Sequence, residues 1–70
     1  MKEVRSEVAG NVWKITSAVG DSVSEGDTLI IVESMKMEIP VEAPTAGTVA
    51  EFRVKEGEPI AEGAVVAVVR

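Results

Sequence analysis

The 70-residue chain contains no cysteine and no histidine, and its aromatic residues are one tryptophan and one phenylalanine. Without cysteine there is no disulfide framework and no thiolate metal site. Without histidine there is no imidazole ligand and no imidazole base. A secreted domain of this length would usually need staples, so the cytoplasm is the expected compartment. Long apolar runs are missing too. The longest, AVVAVV at residues 64–69, is far short of the roughly 18 residues that a membrane span needs. The opening MKEVRSEV carries charge throughout and lacks the apolar stretch of a signal peptide. Cations are scarce: 7 against 12 acidic residues, a net charge of −5. Phosphate binding needs a basic patch, so nucleic acid is not an expected partner. The acidity is read as solubility.

Apolar residues make up 46% of the chain. The length allows one domain, residues 1–70, expected to be a monomer when isolated. A chain of this size buries only about 60% of the surface it exposes when unfolded, so its core is small.

The glycines reveal a duplication. A shift of 37 residues pairs Gly10 with Gly47, Gly20 with Gly57 and Gly26 with Gly63, which accounts for all six. The same shift pairs Val4 with Val41, Ala9 with Ala46, Val12 with Val49, Ile15 with Phe52, Val23 with Ile60, Glu25 with Glu62 and Val32 with Val69. Shared glycines imply shared turns, because glycine marks backbone that needs positive φ or close approach. Residues 1–33 and 38–70 therefore form two copies of one unit. Between them stand Ser34-Met35-Lys36-Met37.

Helical periodicity is absent, and β-branched residues in short runs alternate with turn signals such as SEGD and KEGEP. Strands are predicted at 2–8, 10–16, 28–33, 37–42, 47–53 and 64–69. Short extended pieces at 22–24 and 59–61 bring Val23 and Ile60 into the core. TLIIV and AVVAVV read as strands with little exposure on either face. Pro40, Pro44 and Pro59 belong at edges or strand ends, since proline cannot donate to a ladder. Two homologous four-stranded halves facing each other give an all-β sandwich or flattened barrel with a pseudo-two-fold axis. The axis maps Glu33 near Arg70 and Glu38 near Met1. The junction hairpin and the chain ends are then images of each other at opposite ends of the molecule.

Lys36 is framed by Met35 and Met37, with Glu33 and Glu38 outside them. Taken alone, a lysine at a hairpin tip is an ordinary solvated side chain. A Schiff-base lysine needs burial or neighbouring cations, whereas the nearest charged residues in the sequence are the carboxylates Glu33 and Glu38. No second acid or base accompanies it, so no catalysis by this chain is expected. A third role is covalent attachment: an exposed amine at a tip suits a modifying enzyme and leaves an attached group free to swing. Met35 and Met37 can cap the small core, present adaptable apolar surface to a partner, or do both. Trp13, whose repeat mate is Ala50, either fills a gap beside Ile15 or stands half exposed as a partner contact, the second being slightly favoured. Lys2, Lys14 and Lys55 read as solvated surface.

The stretch ESMKMEIPVEAPTAGTV resembles the attachment signature of the biotinyl/lipoyl-attachment domain family, in its biotin branch. The resemblance is carried by Met35-Lys36-Met37, then Glu38, then Ala43-Pro44 and Gly47-Thr48-Val49, with the duplicated glycine turns extending it over almost the whole chain. Ser34 stands where the branch often has alanine. No thumb insertion and no Ala/Pro-rich tether are present, so the chain looks like a minimal carrier or an isolated domain. The resemblance implies a barrel-sandwich hybrid fold of two four-stranded antiparallel sheets and biotin joined by an amide to Lys36. Ligase and partner enzymes would recognise Met35 and Met37, and Glu33, Ser34 and Glu38 would form the flanks of the motif. It further implies a non-catalytic carrier of carboxybiotin between a biotin carboxylase and a carboxyltransferase, modified by a biotin protein ligase. The alternatives are a lipoyl carrier of the same fold, whose motif usually has a small residue after the lysine, and an unmodified β-adaptor module.

Overall fold

The computed structural model describes all 70 residues and consists of eight strands with no helix. In chain order these are β1 (Lys2–Arg5), β2 (Gly10–Ile15), β3 (Ser22–Val23), β4 (Thr28–Ser34), β5 (Met37–Glu42), β6 (Gly47–Phe52), β7 (Pro59–Ile60) and β8 (Val65–Val69). They form two antiparallel four-stranded sheets, ordered β1-β8-β6-β3 and β5-β4-β2-β7. The 37-residue shift converts β1 into β5, β2 into β6, β3 into β7 and β4 into β8, and so turns one sheet order into the other. The halves do not face each other as two separate four-stranded units, as the sequence pattern predicts: each half contributes strands to both sheets, so neither half can bury its apolar side alone.

The central strands β4 and β8 supply most of the core. Leu29, Ile30 and Val32 are fully buried, as are Val66, Ala67 and Val69. Adjacent strand residues normally point to opposite faces, yet Leu29 and Ile30 both enter the core. The register explains this. It slips between Thr28 and Ile30 opposite β5, and between Val4 and Arg5 opposite β8. Each slip is a β-bulge that re-aims one side chain inward. The continuous apolar runs therefore reflect a bulge at each repeat, in addition to covered faces.

β1 ends at Arg5, three residues earlier than the sequence pattern predicts. The cause is Ser6, which is buried. Its hydroxyl donates to the Val8 carbonyl at 2.6 Å and accepts from the Val8 N–H at 3.3 Å. A side chain that bonds its own backbone two residues on competes with the ladder and turns the chain.

Two glycine pairs hold the repeat together in different ways. Gly26 and Gly63 have φ of 91° and 85°, a region that side-chain-bearing residues rarely adopt. Gly10 and Gly47 are sites of close approach: a Cβ on Gly10 would strike the Glu33 carbonyl, and one on Gly47 the Arg70 carbonyl.

The molecule measures 30 × 17 × 17 Å. β5 leads away from the β4–β5 tip for about 17–20 Å, the length of a six-residue strand. Gly47 and Thr48 follow, and Thr48 exchanges backbone hydrogen bonds with Arg70 at 2.8 and 2.9 Å. Lys2 pairs with Val69 at this same end. The hairpin tip and the chain ends thus lie far apart on the long axis, as the two-fold requires.

Candidate functional site: the β4–β5 hairpin

β4 and β5 pair from Thr28 and Glu42 up to Ser34 and Met37. Only Met35 and Lys36 remain to make the turn. A two-residue hairpin loop matches the twist of its strands when both residues are left-handed. Met35 and Lys36 comply, with φ of 51° and 63°. Such turns usually carry asparagine and glycine. A residue with a full side chain costs on the order of 1 kcal/mol in this conformation. The ladder behind the tip imposes the conformation, and local strain is stored at the one exposed loop that bears the framed lysine.

The tip is fully presented. Met35 is 92% exposed and Met37 62% exposed. Core capping by the methionines is thereby excluded. The reason lies in the strand. Met37 shares the inward-facing row with Ile39 and Val41, and exposure falls along that row from Met37 to buried Val41. Met37 sits beyond the last layer of the core and has nothing to cover. Ser34, half-buried, closes the ladder opposite Met37.

Glu33 and Glu38 do not pair with the lysine. The register sets them directly opposite each other, and both are exposed. The ion pairs of the molecule are Glu3–Arg5, Glu3–Arg53 and Glu51–Arg53, so Lys36, Glu33 and Glu38 take part in none. The Lys36 amine is therefore free for a covalent bond, with exposed surroundings that leave an attached group room to swing. The molecule has two surface hollows. The better formed, about 370 Å³, follows the seam between β1 and β5 and is lined by Val4, Ile39, Pro40 and several carboxylates, and neither hollow includes any of residues 33–38. No group of three or more potential metal-ligating side chains is present.

Trp13 lies on β2 in the same sheet as the hairpin and is 44% exposed, with the Lys14 Nζ 5.5 Å from the centre of its ring. The half-exposed placement is the observed one. Its position as the extra residue of a bulge, where the register slips between Val12 and Lys14, was not legible in the sequence.

A strained, ladder-held hairpin at the pole of a duplicated β-sandwich displays one lysine engaged in no ion pair, a geometry open to covalent attachment. Residues 2–69 match the family model described as "Biotin-requiring enzyme", the biotin/lipoyl family, and the chain belongs to that family. The chain is 45% identical over 60 residues to the biotin/lipoyl attachment protein of Bacillus subtilis, covering 86% of this chain and 82% of that one. It is 41% identical over 68 residues to the "biotinylated protein TB7.3 homolog" of Mycobacterium leprae, covering 97% and 96% respectively. Among solved structures, the urea carboxylase of Kluyveromyces lactis superposes with a TM-score of 0.95 at 40% identity. That match covers 99% of this chain but 6% of the carboxylase chain.

Proposed function

We propose that the chain is a biotin carboxyl carrier, with biotin held in an amide to the Nζ of Lys36 and residues 1–70 acting as one carrier domain. The observation that carries this reading is the exposed Lys36 at the left-handed tip, flanked by two exposed methionines and engaged in no ion pair. Its relatives support it, among them a biotin carboxyl carrier protein of Streptococcus mutans at 43% identity over 54 residues, 77% of this chain and 42% of that one.

The residues divide the work by position. Lys36 supplies the nucleophile for its own modification. As the free amine it attacks the acyl carbon that a biotin protein ligase presents in activated form. The N–C bond forms, the bond to the leaving group breaks, and the amine proton passes to base. The rigid β4–β5 ladder fixes where the arm is rooted, and the open surroundings leave its sweep unhindered. Bound biotin supplies a ureido nitrogen that accepts and releases a carboxylate. Tethering raises the effective concentration of the reacting group at a docked enzyme to the order of millimolar. Met35 and Met37 give adaptable apolar contact at the root of the arm. Relatives of this chain include a pyruvate carboxylase, and the specific partners proposed are a biotin carboxylase and a carboxyltransferase in the cytoplasm. Chemistry at the ureido group belongs to those enzymes.

The test is transfer. The biotinylated chain incubated with a biotin carboxylase and labelled bicarbonate should take up label, and Lys36→Ala taken through the same steps should not. Label on Lys36→Ala equal to the wild type would reject the proposal.

A further inference from the structure

The internal repeat provides its own control, because positions that differ between the two half-folds are not required by the fold. The outer rows of the two sheets correspond residue for residue. In one sheet the row is Glu3, Val68, Glu51, and in the other it is Pro40, Ile31, Lys14. The first row is closed. Arg5 bonds Glu3 at 2.8 Å, Arg53 reaches Glu3 at 3.7 Å and Glu51 at 3.1 Å, and Val68 beneath them is 3% exposed. The second row is open. Thr16 and Glu42 stand at the positions of the two arginines, no ion pair forms, and Ile31 is partly exposed. Beside it the bulge carries Trp13, where the other sheet has Ala50. The sheet that bears the lysine hairpin therefore displays Ile31 and Pro40 with Trp13 on the neighbouring bulge, and the one charge among them is Lys14, its Nζ 5.5 Å from the centre of the indole ring. Exposed apolar side chains that include a tryptophan with a cation over its ring are typical of an interaction site.

We propose that this face is the docking surface for the biotin protein ligase, with Trp13 as its anchor. The proposal rests on Lys36 being the residue modified. The amine sits at the protein surface, so the ligase must bring its acyl group to the body of the carrier, whereas a later enzyme acts on the far end of the arm and needs to touch the carrier only at the tip methionines. A specific interface takes roughly 600–800 Å² from each partner, between about a seventh and a fifth of the 4250 Å² surface here. The tip residues alone do not supply that, and the footprint must run onto a sheet. Ile31 lies four residues from Met35, about 13 Å along β4. The charges select the partner. Glu38 and Glu42 share the outward row of β5 with Pro40, Glu33 faces Glu38, and Lys14 is the single cation on β2, β4 and β5. The complementary ligase surface is an apolar pocket for the indole with a basic rim.

The experiment is steady-state biotinylation by a biotin protein ligase over a range of apo-carrier concentrations. Trp13→Ala should raise KM about tenfold, the effect of losing an interface anchor, with kcat unchanged. It should melt close to the wild type, since the fold already holds alanine at the equivalent Ala50. Trp13→Phe should recover part of the loss, and Ala50→Trp on the closed sheet should leave KM unchanged. A KM within twofold of wild type for Trp13→Ala, with Lys36 still modified, would overturn the proposal. Failure of the wild type itself to take biotin on Lys36 would instead remove the reading beneath it. The single tryptophan gives a second readout. Labelled with 5-fluorotryptophan, the apo-carrier should show one fluorine resonance that moves when ligase is added. A resonance that moves in the purified biotinylated carrier with no ligase present would assign the face to the arm, and the docking proposal would fail.

Discussion

Gly26 and Gly63 occupy the same turn of the two half-folds. Their φ angles are 91° and 85°, and their N–H groups donate to the carbonyls of Ala43 and Ser6 at 2.9 and 2.8 Å. A Cβ at either position meets nothing within 4 Å. The cost of a side chain there is therefore backbone conformation alone, and it should be the same at both. Gly26→Val and Gly63→Val are each expected to destabilise by roughly 1–3 kcal/mol, the scale of local backbone strain. Urea melts beside wild type measure this. One dispensable and one essential glycine would mean that the repeat in sequence is not a repeat in energetics.

A different outcome is expected at the methionines. Met35→Leu and Met37→Leu change side chains that are largely in solvent, so each should move stability by no more than about 0.5 kcal/mol. Any defect should appear in carboxyl transfer, where a partner meets the root of the arm. A variant that unfolds in a thermal melt would return the methionines to the core.

The turn itself invites a substitution with opposite effects on stability and function. Asparagine tolerates the left-handed region that Met35 occupies at φ 51°. Met35→Asn should therefore raise stability by roughly 0.5–1 kcal/mol while slowing carboxyl transfer through loss of apolar contact. Lower stability would show that the tip is unstrained.

These expectations draw on features that differ in how far the sequence discloses them. The eight strands and the two-fold repeat are legible because the six glycines recur at one spacing and the apolar runs fall between them, whereas the exchange of strands between the halves is not, since the repeat alone fits two four-stranded halves facing each other. The early end of β1 is not, since it depends on a buried hydroxyl bond within Ser6–Val8 that strand propensity cannot register. The bulges that turn Leu29 and Ile30 inward together are likewise invisible to an alternation rule. At the site, the frame around Lys36 singles out the lysine. Its left-handed turn is hidden, because neither Met35 nor Lys36 is a residue that advertises positive φ. Glu33 and Glu38 flank Lys36 in sequence, yet the ladder turns them toward each other. That relation follows only from register, which the two-residue length of the loop sets.

The most direct measurement is intact mass followed by peptide mapping of the chain co-produced with a biotin protein ligase. The wild type should carry one biotinyl group, located on Lys36, and Lys36→Arg should carry none while melting at the wild-type temperature. An unmodified wild type, a lipoyl increment in its place, or biotin persisting on Lys36→Arg at Lys14 or Lys55 would contradict the account.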